Sequence, residues 1–419
     1  MADSVRFVHA ADLHLDAPFQ GVTADDERVG AALAQATYQA FTRVVDVCLE
    51  HEVDFLLIAG DAYNSADKSL RAQLVFRREM QRLAGAGIAA FIAHGNHDPV
   101  SGWSAGLALP QSVRVFSAGR VERLEFCRAG EVVAAVYGRS FGKAAETAGF
   151  AEGYRRDPAD PIAIGVLHAN VGGDPEYDPY APATLEELRA GHMDYWALGH
   201  IHKHEVLARD PWIVYAGSPQ GLNPKETGVH GCMLVEVGRS GVVSAQHIET
   251  APVVWAAEQI DLSDAADLQS VQNLLTDACA RLREQADERA VVTRIALVGR
   301  TAAHADLVRP GVLDALLAEL RSEQSSATPW VWVDRLDVRT AGAIDLDEVR
   351  SGPDFAAELL RITDELAEDP DAVQQLLGQI TAPLATTLGG YESSADPILV
   401  LEQARDIALD QLLGGGDGR

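Results

Sequence analysis

The sequence predicts a layered α/β fold, and three observations carry that expectation. Short apolar runs alternate with helical stretches through the first half of the chain. The runs are apolar throughout, as strands covered on both faces are. Five of them stop abruptly in Asp, Asn or His, and in open α/β sheets ligands bind beyond the carboxyl ends of the strands.

In chain order, "VRFVHAADL" reads as a buried strand and "DDERVGAALAQATYQAFTRVVDVCLEH" as one long helix. "VDFLLIAGD" is a second strand, "SLRAQLVFRREMQRLAGAG" a helix closing in glycines, and "IAAFIAHGNHD" a third strand. "VRVFSAGRVERLEFCRAGEVVAAVYGRSF" reads as several short strands of antiparallel character. "PIAIGVLHAN" and "MDYWALGHIH" are again apolar strands ending in polar groups, with the helix "TLEELRAG" between them. "WIVYAGSPQG" and "HGCMLVEVG" close this part.

After about residue 255 the polar clusters stop. A helix over 263–285, the strand "VVTRIALVG", the helix "GVLDALLAELRS" and the strand "PWVWVDRLDV" make a small α/β module. From 341 onward the chain turns to acidic helices. Phe355, Leu359, Ile362 and Leu366 recur at helical spacing, as do Val373, Leu377, Ile380 and Leu384. These stripes dock either on their own domain or on a partner. The last helix begins at "ADPILVLEQA", with Asp396 as N-cap and Pro397 at the first helical position. The terminal "GGGDG" reads as a frayed end. The expected domains are thus 1–255, 256–340 and 341–419.

With 419 residues the chain has room for two or three domains with a substantial core. No run of eighteen apolar residues exists, so no membrane span is expected. The opening "MADSVRFVHAADLHL" lacks the basic, apolar and cleavage regions of a signal peptide. Cys48, Cys127, Cys232 and Cys279 stand singly in apolar contexts. They suggest small core residues rather than a zinc site or disulfides, and a reducing cytoplasm fits. The net charge is −28, from 34 basic and 62 acidic side chains. Residues 341–419 alone hold 16 acidic and 4 basic groups. Such a chain repels nucleic acid at long range, since phosphate affinity comes largely from Lys and Arg.

The five strand ends carry the chemistry. They supply Asp12 and His14; Asp61 after Gly60; Asn96, His97 and Asp98 after Gly95; His168; and His200 and His202 after Gly199. Singly, each has an ordinary explanation, since Gly-Asp and Gly-Asn are common turn residues. Five strands ending alike are hard to explain by turns. If the strands share a sheet, their ends converge on one site. Carboxylate, imidazole and amide donors without a thiolate suit a pair of divalent ions such as Mn²⁺ or Fe²⁺. Two such ions need a bridging carboxylate, the natural task of Asp61 on a central strand.

The order Asp-x-His, Gly-Asp, Gly-Asn-His-Asp, His, Gly-His-x-His resembles the calcineurin-like metallophosphoesterase superfamily. "FVHAADLHLDAPF", "LLIAGDAYN", "AHGNHDP", "YWALGHIHKHEVL" and "YAGSPQGLNPKETGVHGC" resemble its DNA-repair exonuclease branch, the SbcD/YhaO-type nuclease subunits. The match covers roughly residues 5–235. It implies a four-layer α/β/β/α sandwich with a small α/β capping domain and a C-terminal helical segment. It implies two divalent ions, Mn²⁺ first, with Fe²⁺ or Mg²⁺ as alternatives. Asp12, His14, Asp61 and His202 would hold one ion, and Asp61, Asn96, His168 and His200 the other. His97 would meet the phosphate or protonate the leaving oxygen, with Asp98 orienting it. Related nucleases often carry His where this chain has Asn64. Asn64, Lys203 and His204 are candidates for contact with substrate, and His9 for a core or supporting role. The implied partners are DNA, an SbcC/YhaN-like ATPase docked on the helical tail, and a second copy of the chain. Lys68, Arg71, Arg139, Lys143, Lys203 and Lys225, near the motifs in sequence, partly answer the charge objection. Two other readings stay open at this point: hydrolysis of a small nucleotide or cyclic nucleotide, and a non-catalytic scaffold on the same fold.

Overall fold

The computed structural model describes residues 4–22, 26–65, 67–387 and 396–413. The chain divides into two compact units. One holds residues 1–256 with 285–292 and 328–334; the other holds 257–284, 293–327 and 335–419.

The first unit begins with β1 (Ser4–Ala10), α1 (Glu27–Leu33), α2 (Ala36–Glu50), β2 (Phe55–Ala59), α3 (Leu70–Gly85), β3 (Ala89–Ala93) and β4 (Val113–Val115). It continues with β5 (Glu122–Arg128), β6 (Glu131–Gly138), β7 (Ala163–His168), α4 (Leu185–Ala190) and β8 (Tyr195–Gly199). β9 (Glu205–Arg209), β10 (Trp212–Tyr215), β11 (Gly231–Gly238) and β12 (Gly241–Glu249) complete its sheets. Among the described residues these strands form two six-stranded sheets, ordered β12-β11-β1-β2-β3-β4 and β5-β6-β7-β8-β10-β9. β1, β2 and β3 run parallel, as do β6, β7, β8 and β10.

The buried faces explain the layers. Phe7, Phe55 and Phe91 of the first sheet meet Val136, Ile164, Tyr195 and Val214 of the second in one core, with Phe7 and Phe55 stacked at 5.2 Å. Stacked faces of this kind lie about 10 Å apart. The opposite face of the first sheet packs Val8, Leu56 and Ile58 against Phe41, Val45 and Cys48 of α2 and Phe76 and Met80 of α3. The opposite face of the second sheet is covered by Leu188 of α4 and by Phe141, Phe150 and Tyr154. The result is helices, sheet, sheet and a thin helical layer, as the resemblance implies. α4 starts with a capping box between Thr184 and Glu187.

The long first helix of the sequence reading is in fact two. Val29, Leu33 and Ala36 pack with Val253, Trp255, Val292, Trp330 and Trp332. The rest of α2 packs under the first sheet. The chain breaks at Ala34–Gln35 so that each half follows its own core. Cys48, Cys232 and Cys279 are buried, as expected, but Cys127 is exposed on the edge strand β5.

β13 (Val253–Asp261) runs through the expected boundary at 255/256. α5 (Leu268–Gln285), β14 (Ala290–Thr301), α6 (His304–Leu307), α7 (Val312–Ser325) and β15 (Val331–Gly342) follow, and the three strands pair in the order β13-β14-β15. α8 (Leu346–Arg350), α9 (Phe355–Ala367), α10 (Pro370–Thr387) and α11 (Pro397–Leu413) belong to the second unit. Asp396 accepts from the Ile398 N–H at 2.9 Å, as an N-cap does.

The tail stripes are buried only in part. Ala356, Leu360 and Leu409 form the small core here, while Phe355 is 69% exposed and Ile380 59% exposed. Periodicity locates an apolar face but not which edge of it docks. The side chain of Leu384 and the terminal "GGGDG" lie outside the described residues. Among the described residues no helix is long and apolar enough to cross a membrane.

Candidate metal centre

Five strands deliver the polar residues, but they lie on two sheets rather than one. β1, β2 and β3 carry Asp12, His14, Asp61 and the Asn96 turn; β7 and β8 carry His168, His200 and His202. The site is the mouth between the carboxyl ends of two facing sheets. His168 Nδ1 donates to the Ala59 carbonyl at 3.0 Å, and the His200 N–H donates to the Asp12 carboxylate at 3.0 and 3.1 Å. These bonds tie the sheets together at the mouth. The approach depends on glycine. A Cβ on Gly60 (φ +97°) would sit 2.1 Å from His168 Nδ1, and one on Gly95 would sit 2.2 Å from Asp61 Oδ1.

The backbone is strained where the candidate ligands sit. Asp12 (φ 52°), His14 (41°), Asp61 (50°) and His200 (99°) all occupy the left-handed region. Non-glycine residues there cost on the order of 1–3 kcal/mol each and persist where the surroundings over-determine them, commonly at functional sites.

The seven candidate ligands come together. The donor atoms of Asp12, His14 and His202 form one group within 4.8 Å, and those of Asp12, Asp61 and His168 another. Asn96 Oδ1 lies 2.9 Å from His168 Nε2, and Asp61 Oδ2 lies 3.4 Å from the same nitrogen. The His168 and His200 rings are 5.2 Å apart.

Hydrogen bonds fix which ring nitrogens are free to bind. Because His168 Nδ1 and His200 Nε2 donate to the carbonyls of Ala59 and Asp178, the opposite nitrogens carry the lone pairs of the neutral rings. His202 Nδ1 donates to Glu226 Oε1 at 2.9 Å, which aims its Nε2 lone pair at His14 Nε2, 3.1 Å away. His14 Nδ1 is buried without a partner. Two buried carboxylates, an amide oxygen and converging imidazole lone pairs make a donor set that fits divalent cations.

Charge bears this out. Burial pushes Asp12 up to about 6, against the pull of His168 and His202. Burial also raises Asp61, but the charge of His168 and its hydrogen bond bring it well below the usual carboxylate range. Burial lowers His168, yet Asp61 and Asp12 outweigh it and lift the ring to about 9. Burial lowers His14 to about 3 and His200 to about 4. Without a metal, therefore, His168 holds a proton at neutral pH on Nε2. A metal bound through Nε2 must displace it. Burial lowers His202, but its hydrogen bond to Glu226, with the nearby carboxylate charges, outweighs this and raises it. Affinity is therefore expected to rise as pH climbs from about 6 toward about 9, with protons released on loading at neutral pH. Calorimetry in two buffers of different ionisation enthalpy reads the release; affinity that is flat across that window contradicts the assignment.

The expected pairing of Asp98 with His97 is not what the structure shows. Asp98 is fully buried and accepts from the Gly95 N–H at 2.8 Å, from the Ala62 N–H at 3.0 Å and from His94 Nδ1 at 2.9 Å. Among the described residues no hydrogen bond joins it to His97. The turn carries His94, four residues earlier, onto the carboxylate and turns His97 away from it. Asp98 therefore holds the loop together. Asp98→Ala leaves three donors unpaired, each worth about 1–3 kcal/mol when buried. The expected cost is about 3 kcal/mol or more of folding stability by denaturant titration; unchanged stability would contradict this role.

His97 is exposed and is held by other partners. Its N–H donates to Asp61 Oδ1 at 2.9 Å and its Nδ1 bonds the Asn64 carbonyl at 3.1 Å. Asn64 thus acts here through its backbone. His97 also lies within 4.8 Å of donor atoms of His14 and Asp61. His204 bonds the Tyr215 carbonyl at 2.9 Å and stacks on His247 at 4.4 Å. His9 is buried between the Tyr195 hydroxyl and the Leu198 carbonyl, a core position.

Of the nearby cations, Lys68, Arg71 and Arg139 lie over the rings of Tyr63, Tyr38 and Phe150. Lys143, Lys203 and Lys225 are exposed. Lys203 and Lys225 line a hollow of about 580 Å³ beside His202, with Tyr177 and Glu226. Glu226 and the Asp178 carbonyl were missed by sequence reasoning, because long loops bring them to the site with no local spacing to betray them.

Comparison with known proteins follows the same lines. The calcineurin-like phosphoesterase family model matches residues 5–204, and the model for the middle domain of metallophosphoesterase YhaO matches residues 255–341. The chain is 35% identical over 348 residues to the uncharacterized metallophosphoesterase YhaO of Bacillus subtilis (strain 168), covering 83% of this chain and 84% of that protein. It is 27% identical over 282 residues to the DNA double-strand break repair protein Mre11 of Methanopyrus kandleri, covering 61% of this chain and 58% of the relative. It is 24% identical over 262 residues to a subunit of the nuclease SbcCD of Escherichia coli (strain K12), covering 54% of this chain and 62% of the relative. With this much of its length shared, and with the strand-end residues gathered at one mouth, the chain belongs to the calcineurin-like metallophosphoesterases of the YhaO type.

Proposed function

We propose that this phosphoesterase hydrolyses phosphodiester bonds in DNA, as an exonuclease with two divalent ions, Mn²⁺ foremost. The observation that carries the reading is the converged mouth, where Asp61 Oδ2 lies 3.8 Å from His14 Nε2 and 3.4 Å from His168 Nε2 and His97 stands at the exposed edge. Asp12, His14, Asp61 and His202 would hold one ion, and Asp61, Asn96, His168 and His200 the other. When bound, the ions supply Lewis acidity at the phosphoryl group and make water more acidic. The protein does the rest. Asp61 anchors the His97 N–H, and the Asn64 carbonyl holds Nδ1. That leaves His97 Nε2 as the atom that carries a proton to the leaving oxygen. Lys203 and Lys225 stand beside His202 in a hollow that Asp174, Glu176, Glu205 and Glu226 also line.

The names of the Mre11 and SbcCD relatives support DNA as substrate. The small hollow favours a second reading, a mononucleotide or cyclic nucleotide substrate, since its volume of about 580 Å³ falls in the range of small-ligand sites. Purified protein with Mn²⁺ is assayed on single- and double-stranded DNA beside a nitrophenyl phosphodiester and nucleotide esters, with a chelated control. Metal-dependent loss of DNA supports the first reading; cleavage of the small esters with DNA inert overturns it.

We further infer a cytoplasmic protein that forms a homodimer. Residues 256–340 would cap the site, and an SbcC/YhaN-like ATPase would dock on the acidic tail. Exposed Phe355, Ile362, Ile380 and Ile407 on α9–α11 are the support for that docking face.

A further inference from the structure

We propose that Glu226 is a positioning residue of the metal centre: its carboxylate holds His202 in the one ring orientation and tautomer able to bind an ion. This rests on the metal-centre reading above.

Glu226 has no donor, so the ring nitrogen it meets must be the N–H. His202 Nδ1 donates to Glu226 Oε1 at 2.9 Å, and Nε2 is left as the lone pair facing His14. The carboxylate is itself held. Oε2 accepts from the Leu222 N–H at 2.7 Å, and Oε1 also accepts from Asn223 Nδ2 at 2.6 Å. A carboxylate that merely closed the turn after Leu222 would need only the first of these bonds. Here its other oxygen turns out of the loop to the imidazole.

The rest of the loop is built around the same contact. The Ser218 N–H donates to the His202 carbonyl at 2.9 Å, fixing the ring's own backbone. His230 Nε2 meets the Glu226 carbonyl at 3.1 Å, pinning the carboxylate from behind. Gly221 permits the fit, since a Cβ there would lie 2.8 Å from the Glu226 carbonyl and 2.9 Å from His230 Nε2. Residues 218–230 therefore clamp His202 at both backbone and side chain. Carboxylates behind ligating histidines commonly set ligand orientation and basicity, and their loss costs about 10–100-fold in metal affinity.

The test is a calorimetric titration of chelator-treated full-length protein with Mn²⁺, comparing wild type, Glu226→Ala, Glu226→Gln and His202→Ala. Nitrogen-15 NMR of the metal-free proteins reads the His202 tautomer. The expected result for Glu226→Ala is one of two Mn²⁺ equivalents weakened about 10–100-fold with the other unchanged, and a loss of the Nδ1–H form. Glu226→Gln preserves shape but keeps one acceptor oxygen, so it should fall between wild type and alanine. His202→Ala should lose the same equivalent. Wild-type affinity with an unchanged tautomer in Glu226→Ala would overturn the proposal. So would equal weakening of both equivalents in Glu226→Gln with its thermal unfolding displaced, which marks a general structural role. Wild type that takes up no divalent ion overturns the centre and this role together. Failure to cut DNA with both equivalents bound sinks only the DNA reading.

Discussion

Asp61→Ala is expected to strip the chain of both ions and abolish hydrolysis. Asp61 is the carboxylate that the two proposed ligand sets share. Its Oδ2 lies 3.8 Å from His14 Nε2 and 3.4 Å from His168 Nε2, and its Oδ1 receives the His97 N–H. It is 1% exposed. Losing the metals removes several kcal/mol of transition-state stabilisation; at about 1.4 kcal/mol per tenfold, kcat should fall on the order of 10³-fold or more. Metal content and kcat, measured on the same preparation, check this. Asp61→Asn, nearly the same shape, separates charge from packing: it should also lose metal. A variant that keeps both ions, or loses only one, would show that Asp61 does not bridge.

The second large effect separates chemistry from binding. His97→Ala should retain both ions and lose about 10²–10⁴-fold in kcat, the usual scale of a positioned proton donor. The geometry allows a competing role, since His97 lies within reach of His14 and Asp61 as a third donor. Metal titration distinguishes the two: a lost equivalent makes His97 a ligand. Leaving groups supply a further check. A nitrophenolate departs as a stable anion and needs no proton, whereas the alkoxide of a DNA chain does. The variant should therefore be impaired far more on DNA than on the nitrophenyl diester. Equal impairment on both would remove His97 from the proton-donor role.

Much of this centre is legible in the sequence, because a strand end is a local feature. An apolar run that stops at Asp12, Asp61 or His168 announces where the backbone leaves the sheet, and all three arrive at one mouth. Which sheet a strand joins is not local. Nothing in "PIAIGVLHAN" says that β7 pairs with β6 and β8 and faces β2 across a hydrophobic core. Asp98 misleads for a related reason. Adjacency suggests His97 as its partner, but the turn swings its neighbour outward and brings His94 in. Glu226 lies 24 residues beyond His202, and only tertiary folding joins them. In the tail, helical periodicity is right about helices and silent about which residues dock, and Phe355 stands exposed.

The central claim is a pair of ions sharing Asp61. Anomalous diffraction from crystals grown with Mn²⁺ tests it most directly. Two peaks are expected on either side of the Asp61 carboxylate, one beside His14 and His202 and the other beside His168 and Asn96. A single peak, or peaks that do not share Asp61, would contradict it.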